Sequence, residues 1–269
     1  MLACRIHAKE DLRVEPMTVP SPGPGEVLLR LGAGGICGSD LHYYFEGRNG
    51  SFVVREPLIP GHEASATVEA VGPGVTRVKK GDRVAVSPSH ACGRCEGCRQ
   101  GREQLCSAMR FLGSASLFPH VQGMFRELFV MGERQCYPVA GDVSLGELAF
   151  AEPLAVALHA VSRGGDLLGK SVLVTGGTGG IGYATAAGLV RLGARVGIVG
   201  RDPSRAEQAA RELRQIDSAA EVDVFTVDLS SQAEVRRLAD EALATYPRLD
   251  VLVNNVGGFW AHRHETVDG

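Results

Sequence analysis

A glycine-rich segment constrains the fold of this 269-residue chain more than any other feature. Residues 175–182 read Thr-Gly-Gly-Thr-Gly-Gly-Ile-Gly, between an apolar run at 171–175 and a stretch with helical periodicity. In such a loop the backbone amides and the amino end of the helix can face a phosphate. The segment therefore predicts a nucleotide-phosphate site. Its expected cofactor-binding residues are Thr175, Gly176, Gly177, Gly179, Gly180, Ile181 and Gly182.

Short apolar runs alternate with amphipathic stretches through the rest of this region. Asp202 before Pro203 and Ser231 with Glu234 are typical helix starts. Alternating strands and helices build a parallel sheet covered on both faces, and four strands with three helices make half of a doubly wound Rossmann fold. The predicted strands are 171–175, 195–199, 222–227 and 251–254, and the predicted helices are 180–192, 203–216 and 232–245.

The residues that precede the glycine-rich loop have a different character. Short β-rich runs such as Glu26–Leu31 and Ala66–Val71 are separated by Pro and Gly clusters, and a helical stretch is expected at 147–162. We therefore predict an α/β chain with a β-rich domain over residues 1–164 and a partial nucleotide-binding domain over residues 165–269.

Four of the seven cysteines fall within fifteen residues, at Cys92, Cys95, Cys98 and Cys106. This spacing lets one loop wrap a tetrahedral zinc ion, and a closed four-cysteine site is structural. The alternative is four free thiols, which would be prone to oxidation.

A second, sparser set of possible metal ligands comprises Cys37, His62, Glu63 and Glu152. Spacing alone leaves their role open, since a lone Cys or His is commonly a buried structural residue. Three protein ligands with an open position would form a catalytic zinc site.

Several motifs in residues 1–169 resemble the zinc-dependent medium-chain dehydrogenases of the sorbitol and L-idonate 5-dehydrogenase type. These motifs are 34–44 (Gly-Gly-Ile-Cys-Gly-Ser-Asp-Leu-His-Tyr-Tyr), 60–63 (Pro-Gly-His-Glu), the four-cysteine segment, 109–114, 123–127 and 150–159. The resemblance implies a GroES-like domain in which Cys37, His62 and Glu152 surround the catalytic zinc, with Glu63 as a ligand or a carboxylate just behind. It also implies a proton relay through Ser39 and His42, with Tyr43 lining the substrate pocket. Taken alone, Ser39 would be a turn residue and His42 a surface residue.

Residues 169–269 resemble a second family, the short-chain dehydrogenases. The resemblance rests on the glycine pattern, on Asp228-Leu229 and on Asn254-Asn-Val-Gly257, and it implies cofactor contacts from Asp228, Leu229 and Asn255. Locally, Asp228 could equally cap the next helix. That family's Tyr-x3-Lys acid/base pair is absent from this sequence, in which Lys170 is the last lysine. The chemistry is therefore expected at the zinc site.

The cofactor can be predicted from the end of the second strand, where Gly200-Arg201 stands in place of the acid that binds the ribose hydroxyls of NAD. Arginine suits a 2′-phosphate, so NADP is preferred over NAD. The alternative is that Arg201 is simply a solvated surface residue.

Composition excludes several classes of function. A net charge of −3 leaves no excess of basic residues to bind nucleic acid, and no apolar run is long enough to span a membrane. Residues 1–14 do not have the pattern of a secretory signal, which predicts a cytoplasmic protein.

We expect an oxidoreductase that carries two zinc ions and moves a hydride between a secondary alcohol or polyol and NAD(P). The alternative is a catalytically silent zinc-binding protein, and the incomplete sheet edge could allow self-association.

Overall fold

The computed structural model describes residues 1–257, 265, 266 and 268. These residues form two compact units, one with the described residues up to Glu152 and one with those from Pro153 onward. The division falls inside a helix that begins at Ala151.

The first unit is built on a five-stranded antiparallel sheet with the strand order β10-β3-β6-β7-β11. The remaining strands form three two-stranded ribbons, β1-β2, β4-β5 and β8-β9. The strands are β1 (Leu2–Ala8), β2 (Asp11–Pro16), β3 (Glu26–Gly35), β4 (Arg48–Asn49), β5 (Phe52–Val53), β6 (Glu63–Val71), β7 (Arg83–Val86), β8 (Ser89–His90), β9 (Arg110–Phe111), β10 (Leu128–Gly132) and β11 (Cys136–Pro138).

The core of this unit lies against the five-stranded sheet and contains Val27, Leu29, Ala66, Val68 and Phe129, each at most 1 % exposed. The predicted strands at 26–31 and 66–71 are therefore confirmed, and both are longer in the structure. The extra length matters because β3 and β6 stay paired as far as Gly35 and Glu63. The segments that follow β3 and precede β6 are thereby held side by side.

The helices of this part of the chain are α1 (Gly38–Glu46), α2 (Glu96–Arg99), α3 (Leu145–Ala149) and α4 (Ala151–Arg163), with 3-10 turns at Glu103–Leu105 and Glu133–Gln135. The single helical stretch expected at 147–162 is wrong in one respect, since it consists of α3 and α4 with a break at Phe150. Pro153 explains the break. It has no N–H to donate to Ala149, but it is tolerated in the first turn of a new helix.

The second unit contains a four-stranded parallel sheet with the order β14-β13-β12-β15. Its elements are β12 (Ser171–Thr175), α5 (Gly180–Arg191), β13 (Arg195–Gly200), α6 (Pro203–Ile216), β14 (Val222–Thr226), α7 (Gln232–Thr245) and β15 (Val251–Val253). The predicted order of strands and helices is confirmed. The carboxyl ends of β13, β12 and β15 lie next to one another in this sheet, so the loops that follow them meet at one edge.

Both predicted helix starts are present in this unit. Asp202 caps α6 by accepting hydrogen bonds from the backbone N–H groups of Ser204 and Arg205. Ser231 caps α7 by accepting from the Glu234 N–H. The Glu234 carboxylate forms an ion pair with Arg237.

None of the described helices is long and apolar enough to cross a membrane.

Candidate functional site

Three of the predicted ligands meet where β3 ends and β6 begins. The Cys37 sulfur, a ring nitrogen of His62 and a carboxylate oxygen of Glu63 all lie within 4.8 Å of one another. Cys37 is the N-cap of α1, and Glu63 opens β6 opposite Gly35. The backbone thus brings the Cys37 thiol next to an imidazole and a carboxylate that lie 25 and 26 residues later in the sequence.

The buried carboxylate of Asp40 ties the two ligand segments together. One of its oxygens accepts a hydrogen bond of 3.0 Å from the Cys37 N–H, and the other accepts one of 2.9 Å from the Gly61 N–H. It also lies 3.8 Å from Nδ1 of His62, at ion-pair rather than hydrogen-bond distance. Sequence reasoning missed this role. The available signal was the spacing Cys37-x2-Asp40, which matches a capping box.

The neighbouring groups shift the pKa values of Cys37 and His62 in opposite directions. The pKa of Cys37 is lowered by its hydrogen bond to His62, helped by the backbone N–H and hydroxyl of Ser39, although burial opposes this. Burial would lower the pKa of His62, but Cys37, Asp40 and Glu152 together raise it. Three acidic groups therefore face one imidazole in a half-buried site, which is an environment that attracts positive charge.

Glu152 lies at the margin of the cluster, in the first turn of α4. Its carboxylate does not join the three-residue group within 4.8 Å, but it interacts electrostatically with both His62 and Glu63. Burial raises the pKa of Glu152, His62 lowers it and Glu63 raises it. Of the two carboxylates, Glu63 is therefore the one within 4.8 Å of Cys37 and His62. The family resemblance had implied Glu152 beside the zinc, with Glu63 as a ligand or a carboxylate just behind.

The donor set fits zinc. Zinc is bound by thiolate, imidazole and carboxylate groups, and catalytic sites use three such ligands. An acidic group behind a ligating histidine typically orients the ring, and Asp40 stands in that position. The His62 ring also packs against Phe111, with centroids 5.3 Å apart.

The predicted relay residues, Ser39 and His42, lie on α1, within about one and a half turns of Cys37. His42 is half-buried, and its Nδ1 is 2.9 Å from a carboxylate oxygen of Glu46. Glu46 was not predicted from the sequence, although its i,i+4 spacing from His42 was a usable signal.

Tyr43 is buried rather than pocket-lining, so that expectation was wrong. It is 2 % exposed, packs with Ile6 and Leu58, and accepts a hydrogen bond from the Ala115 N–H. The apolar side of α1 faces the core at this residue, and the neighbouring Tyr44 is only partly buried.

The four clustered cysteines form a separate group in the same unit, around α2 and the 3-10 turn that follows it. Their sulfurs all lie within 4.8 Å of one another. Backbone N–H groups lower the pKa of Cys95 to about 6, whereas burial and the neighbouring thiols raise that of Cys98 to about 12. Four sulfurs this close cannot all ionise without a cation, so the group fits a structural zinc ion.

In the second unit, the glycine-rich loop connects β12 to α5 and is braced by the residues after β15. The Thr175 hydroxyl donates to the Val253 carbonyl and accepts from the N–H groups of Asn255 and Val256. The Asn255 side chain in turn donates to the Thr175 carbonyl. A Cβ added to Gly182 would lie 2.3 Å from the Gly176 carbonyl oxygen, so glycine is required there.

The other predicted cofactor residues lie around the ends of β13 and β14. Arg201 is exposed and sits near Asp228, whose pKa is lowered by Ser230 and by the Arg201 charge. Asp228 accepts hydrogen bonds from the N–H and hydroxyl of Ser230, while Ser231 caps α7. The local alternative, Asp228 as that helix cap, was therefore wrong. Leu229 packs against the core on this side of the sheet.

Comparison with known proteins assigns the two parts of the chain to two family models. Residues 23–141 match the alcohol dehydrogenase GroES-like domain, and residues 170–268 match the short chain dehydrogenase model. Human sorbitol dehydrogenase is 36 % identical over 250 residues, which cover 93 % of this chain and 67 % of the human protein. The chain belongs to the zinc-dependent alcohol dehydrogenase family that includes sorbitol dehydrogenase.

Solved structures of zinc-dependent dehydrogenases are also similar to this chain. L-idonate 5-dehydrogenase from Escherichia coli superposes with a TM-score of 0.75 at 34 % identity, covering 86 % of this chain and 64 % of that protein. A zinc-binding dehydrogenase from Sinorhizobium meliloti, solved with NADP, gives a TM-score of 0.68 at 29 % identity, with coverages of 82 % and 61 %. The chain thus spans about two thirds of the length of these relatives. Both resemblances drawn from the sequence motifs are confirmed.

Proposed function

We propose that the protein is a zinc-dependent oxidoreductase that transfers a hydride between a secondary alcohol or polyol and NADP, with NADP preferred over NAD. The observation that carries this proposal is the convergence of Cys37, His62 and Glu63 within 4.8 Å. Relatives named sorbitol and L-idonate dehydrogenase point to a polyol or sugar-acid substrate.

In this proposal Cys37, His62 and Glu63 hold the catalytic zinc, and Cys92, Cys95, Cys98 and Cys106 hold a second, structural ion, giving two per chain. When bound, the catalytic zinc would supply Lewis acidity at the substrate oxygen and NADP would accept the hydride. Asp40 fixes the two ligand segments. Glu152 adds negative charge beside His62, which favours a bound cation.

The proton that leaves the substrate hydroxyl moves along α1. Ser39 is the first carrier, because its hydroxyl lies beside the Cys37 sulfur; it takes up the substrate proton and releases its own proton toward His42. His42 receives the proton and passes it to Glu46, whose carboxylate is within 2.9 Å of Nδ1 and is partly open to solvent. A general acid–base chain of this type needs hydrogen-bond contact between successive members.

The second unit binds the nucleotide, and we assign residues 1–164 to the zinc domain and 165–269 to the nucleotide-binding domain. Residues 175–182 receive the pyrophosphate at the amino end of α5. Arg201 would bind the 2′-phosphate, and Asp228, Leu229 and Asn255 would provide further cofactor contacts.

Self-association is a further part of the proposal. β15 is the last strand at its side of the sheet among the described residues, and Leu252 is 51 % exposed there. An open strand edge can pair with a second chain. Light scattering that shows only monomer at micromolar concentration would contradict this part alone.

The test of the catalytic proposal is reduction of NADP and NAD by the purified protein with sorbitol, L-idonate and simple secondary alcohols, with and without a zinc chelator. We expect chelator-sensitive turnover, two zinc ions per chain by elemental analysis, and loss of one ion together with turnover in Cys37→Ser. The matched control is Cys4→Ser, a half-buried cysteine outside both clusters. A folded protein with two zinc ions that reduces neither cofactor would contradict the proposal and support the catalytically silent alternative.

A further inference from the structure

The four-cysteine segment lies between the two strands of a very short ribbon. Its strands, β8 and β9, are joined by only two residue pairs, Ser89 with Phe111 and His90 with Arg110. A two-stranded ribbon of this size is marginal on its own. Binding of a metal ion by the four sulfurs, which lie within 4.8 Å of one another, would close the chain between the strands and lower the entropy cost of pairing them.

The second strand of this ribbon reaches the candidate catalytic site. The ring of Phe111 packs against the imidazole of His62, with centroids 5.3 Å apart and ring planes inclined by 59°. His62 is only 6 % exposed, so its ring is confined by its neighbours. Asp40 lies 3.8 Å from Nδ1 of this ring, beyond hydrogen-bond distance. Packing against Phe111 therefore contributes to the orientation of the imidazole.

A second contact joins the same two segments through the backbone. A Cβ built on Gly113 would lie 2.9 Å from the carbonyl oxygen and 3.1 Å from the nitrogen of Gly61. Gly113 follows the end of β9 by two residues, and Gly61 directly precedes His62. Because packed interiors transmit strain, a displacement of β9 would reach His62 through both its side chain and its backbone.

The first strand of the ribbon is held by hydrogen bonds that do not involve the cysteines. The Gln135 side chain, 9 % exposed, donates hydrogen bonds of 3.0 and 3.1 Å to the carbonyls of Ser87 and Ser89. Its oxygen lies 3.3 Å from Nδ1 of His90. Closure of the four-cysteine segment can therefore fix β9 against a strand that is already in place.

We propose that Phe111 couples the two candidate metal sites, so that a zinc ion bound by the four cysteines positions His62 for the catalytic zinc. Phe111 is a positioning residue in this scheme, since it contacts a ligand side chain. The inference rests on the proposed function, in which both clusters hold zinc. Coupling between binding sites is reciprocal, so each ion raises the affinity of the other site by the same factor.

The test follows zinc occupancy at each cluster separately. The protein is equilibrated at a series of buffered free-zinc concentrations and pulsed with iodoacetamide. Alkylation of Cys37 and of the four-cysteine segment is then read by peptide mass spectrometry. Because a thiolate bound to zinc reacts slowly, the midpoint of protection gives the zinc affinity of each cluster without a measurement of turnover.

Two substitutions in the four-cysteine segment, Cys98→Ser with Cys106→Ser, should raise the free zinc needed to protect Cys37 by about tenfold, which is usual for coupled sites. Phe111→Leu keeps every proposed ligand and should by itself raise this midpoint by about tenfold. In the Phe111→Leu background the two serine substitutions should then change it by less than about twofold, because the link is already absent. Circular dichroism checks that each variant is folded.

Phe118→Leu is the matched control. The Phe118 ring packs against His120 rather than His62. In this background the two serine substitutions should keep their full effect on Cys37. Reciprocity gives a second readout, since Cys37→Ser should weaken zinc binding by the four-cysteine segment by the same factor.

Each outcome has a distinct meaning. A Cys37 midpoint that is the same, within about twofold, with and without Cys98 and Cys106 would overturn the coupling and leave the proposed function intact. A full effect of the serine substitutions in the Phe111→Leu background would overturn the role of Phe111. Absence of zinc protection at Cys37 in the folded wild type would overturn the proposed function and the inference together.

Discussion

One carboxylate oxygen of Asp40 accepts a hydrogen bond of 2.9 Å from the backbone N–H of Gly61, the residue that precedes His62. The other oxygen accepts from the N–H of Cys37. A single buried side chain therefore sets the distance between two candidate zinc ligands without occupying a ligand position.

Replacing Asp40 with Asn should loosen the zinc site. An amide group must turn its NH2 toward one of the two backbone N–H donors, which leaves that donor unsatisfied. We expect zinc affinity to fall by about 10- to 100-fold, in line with losses of outer-shell partners, and unfolding free energy to fall by about 1–3 kcal/mol. Competition with a chromogenic chelator measures the affinity. Asp142→Asn, at an exposed position, is the control, and equal zinc affinity in both variants would refute this role.

The brace between Thr175 and the loop after β15 gives a second prediction. Thr175→Val keeps the shape of the side chain but removes the acceptor used by the N–H groups of Asn255 and Val256. Because Thr175 is only 7 % exposed, we expect a loss of about 1–3 kcal/mol in unfolding free energy, measured by urea denaturation. Thr245→Val is the control, because it removes a hydroxyl whose hydrogen bond lies within its own helix. Its loss of unfolding free energy should be smaller. Equal losses would argue against the brace.

Metal removal should expose the four-cysteine segment selectively. Four ionised thiolates stay this close only if a cation compensates their charge, so removal of the metal by a chelator should open residues 92–106 to proteolysis. Trypsin is a suitable probe because Arg94, Arg99 and Arg102 lie in this segment. Cys106→Ser should be cleaved there even without chelator, whereas Cys4→Ser should behave as wild type. Cleavage that does not respond to chelator in the wild type would contradict a structural metal.

The pH dependence of stability should contain a contribution from Glu133. Its carboxylate accepts hydrogen bonds from the backbone N–H groups of Thr76 and Arg77, and these lower its pKa below the usual 4.5. A lowered folded-state pKa stabilises the protein above the unfolded-state pKa, and this stability is lost as the pH falls through the folded-state value.

Glu133→Gln should therefore be less stable than the wild type at pH 7, and the difference should shrink as the pH is lowered below 4.5. Urea denaturation at a series of pH values gives the comparison, with Asp142→Asn as the exposed control. A difference that stays constant down to pH 3 would contradict the contribution of the carboxylate charge.

The sequence predicted those features that depend on local pattern. Alternation of apolar strands with helices, together with caps such as Asp202, predicted the parallel sheet and its helix starts. The spacing of the four cysteines predicted a cluster that the structure brings together.

Features that depend on long-range packing could not be derived from local pattern, and Glu63 was predicted as a ligand or a carboxylate just behind only through the family resemblance. The pairing of Gly35 with Glu63 moves Glu63 close to Cys37, and no local pattern specifies that register. Tyr43 and Tyr44 are neighbours in sequence, and only the rotation of α1 against Ile6 and Leu58 decides which of them is buried.

The burial of Tyr43 has a consequence for the chemistry on the rest of α1. This helix has Cys37 at its amino end and His42 near its middle, and the ring of Tyr43 sets its rotation about its own axis. Loss of the Tyr43 ring would remove the contacts with Ile6, Leu58 and Ala115 that hold this rotation, so a residue outside the proposed ligand set would affect the positions of the Cys37 sulfur and the His42 imidazole together.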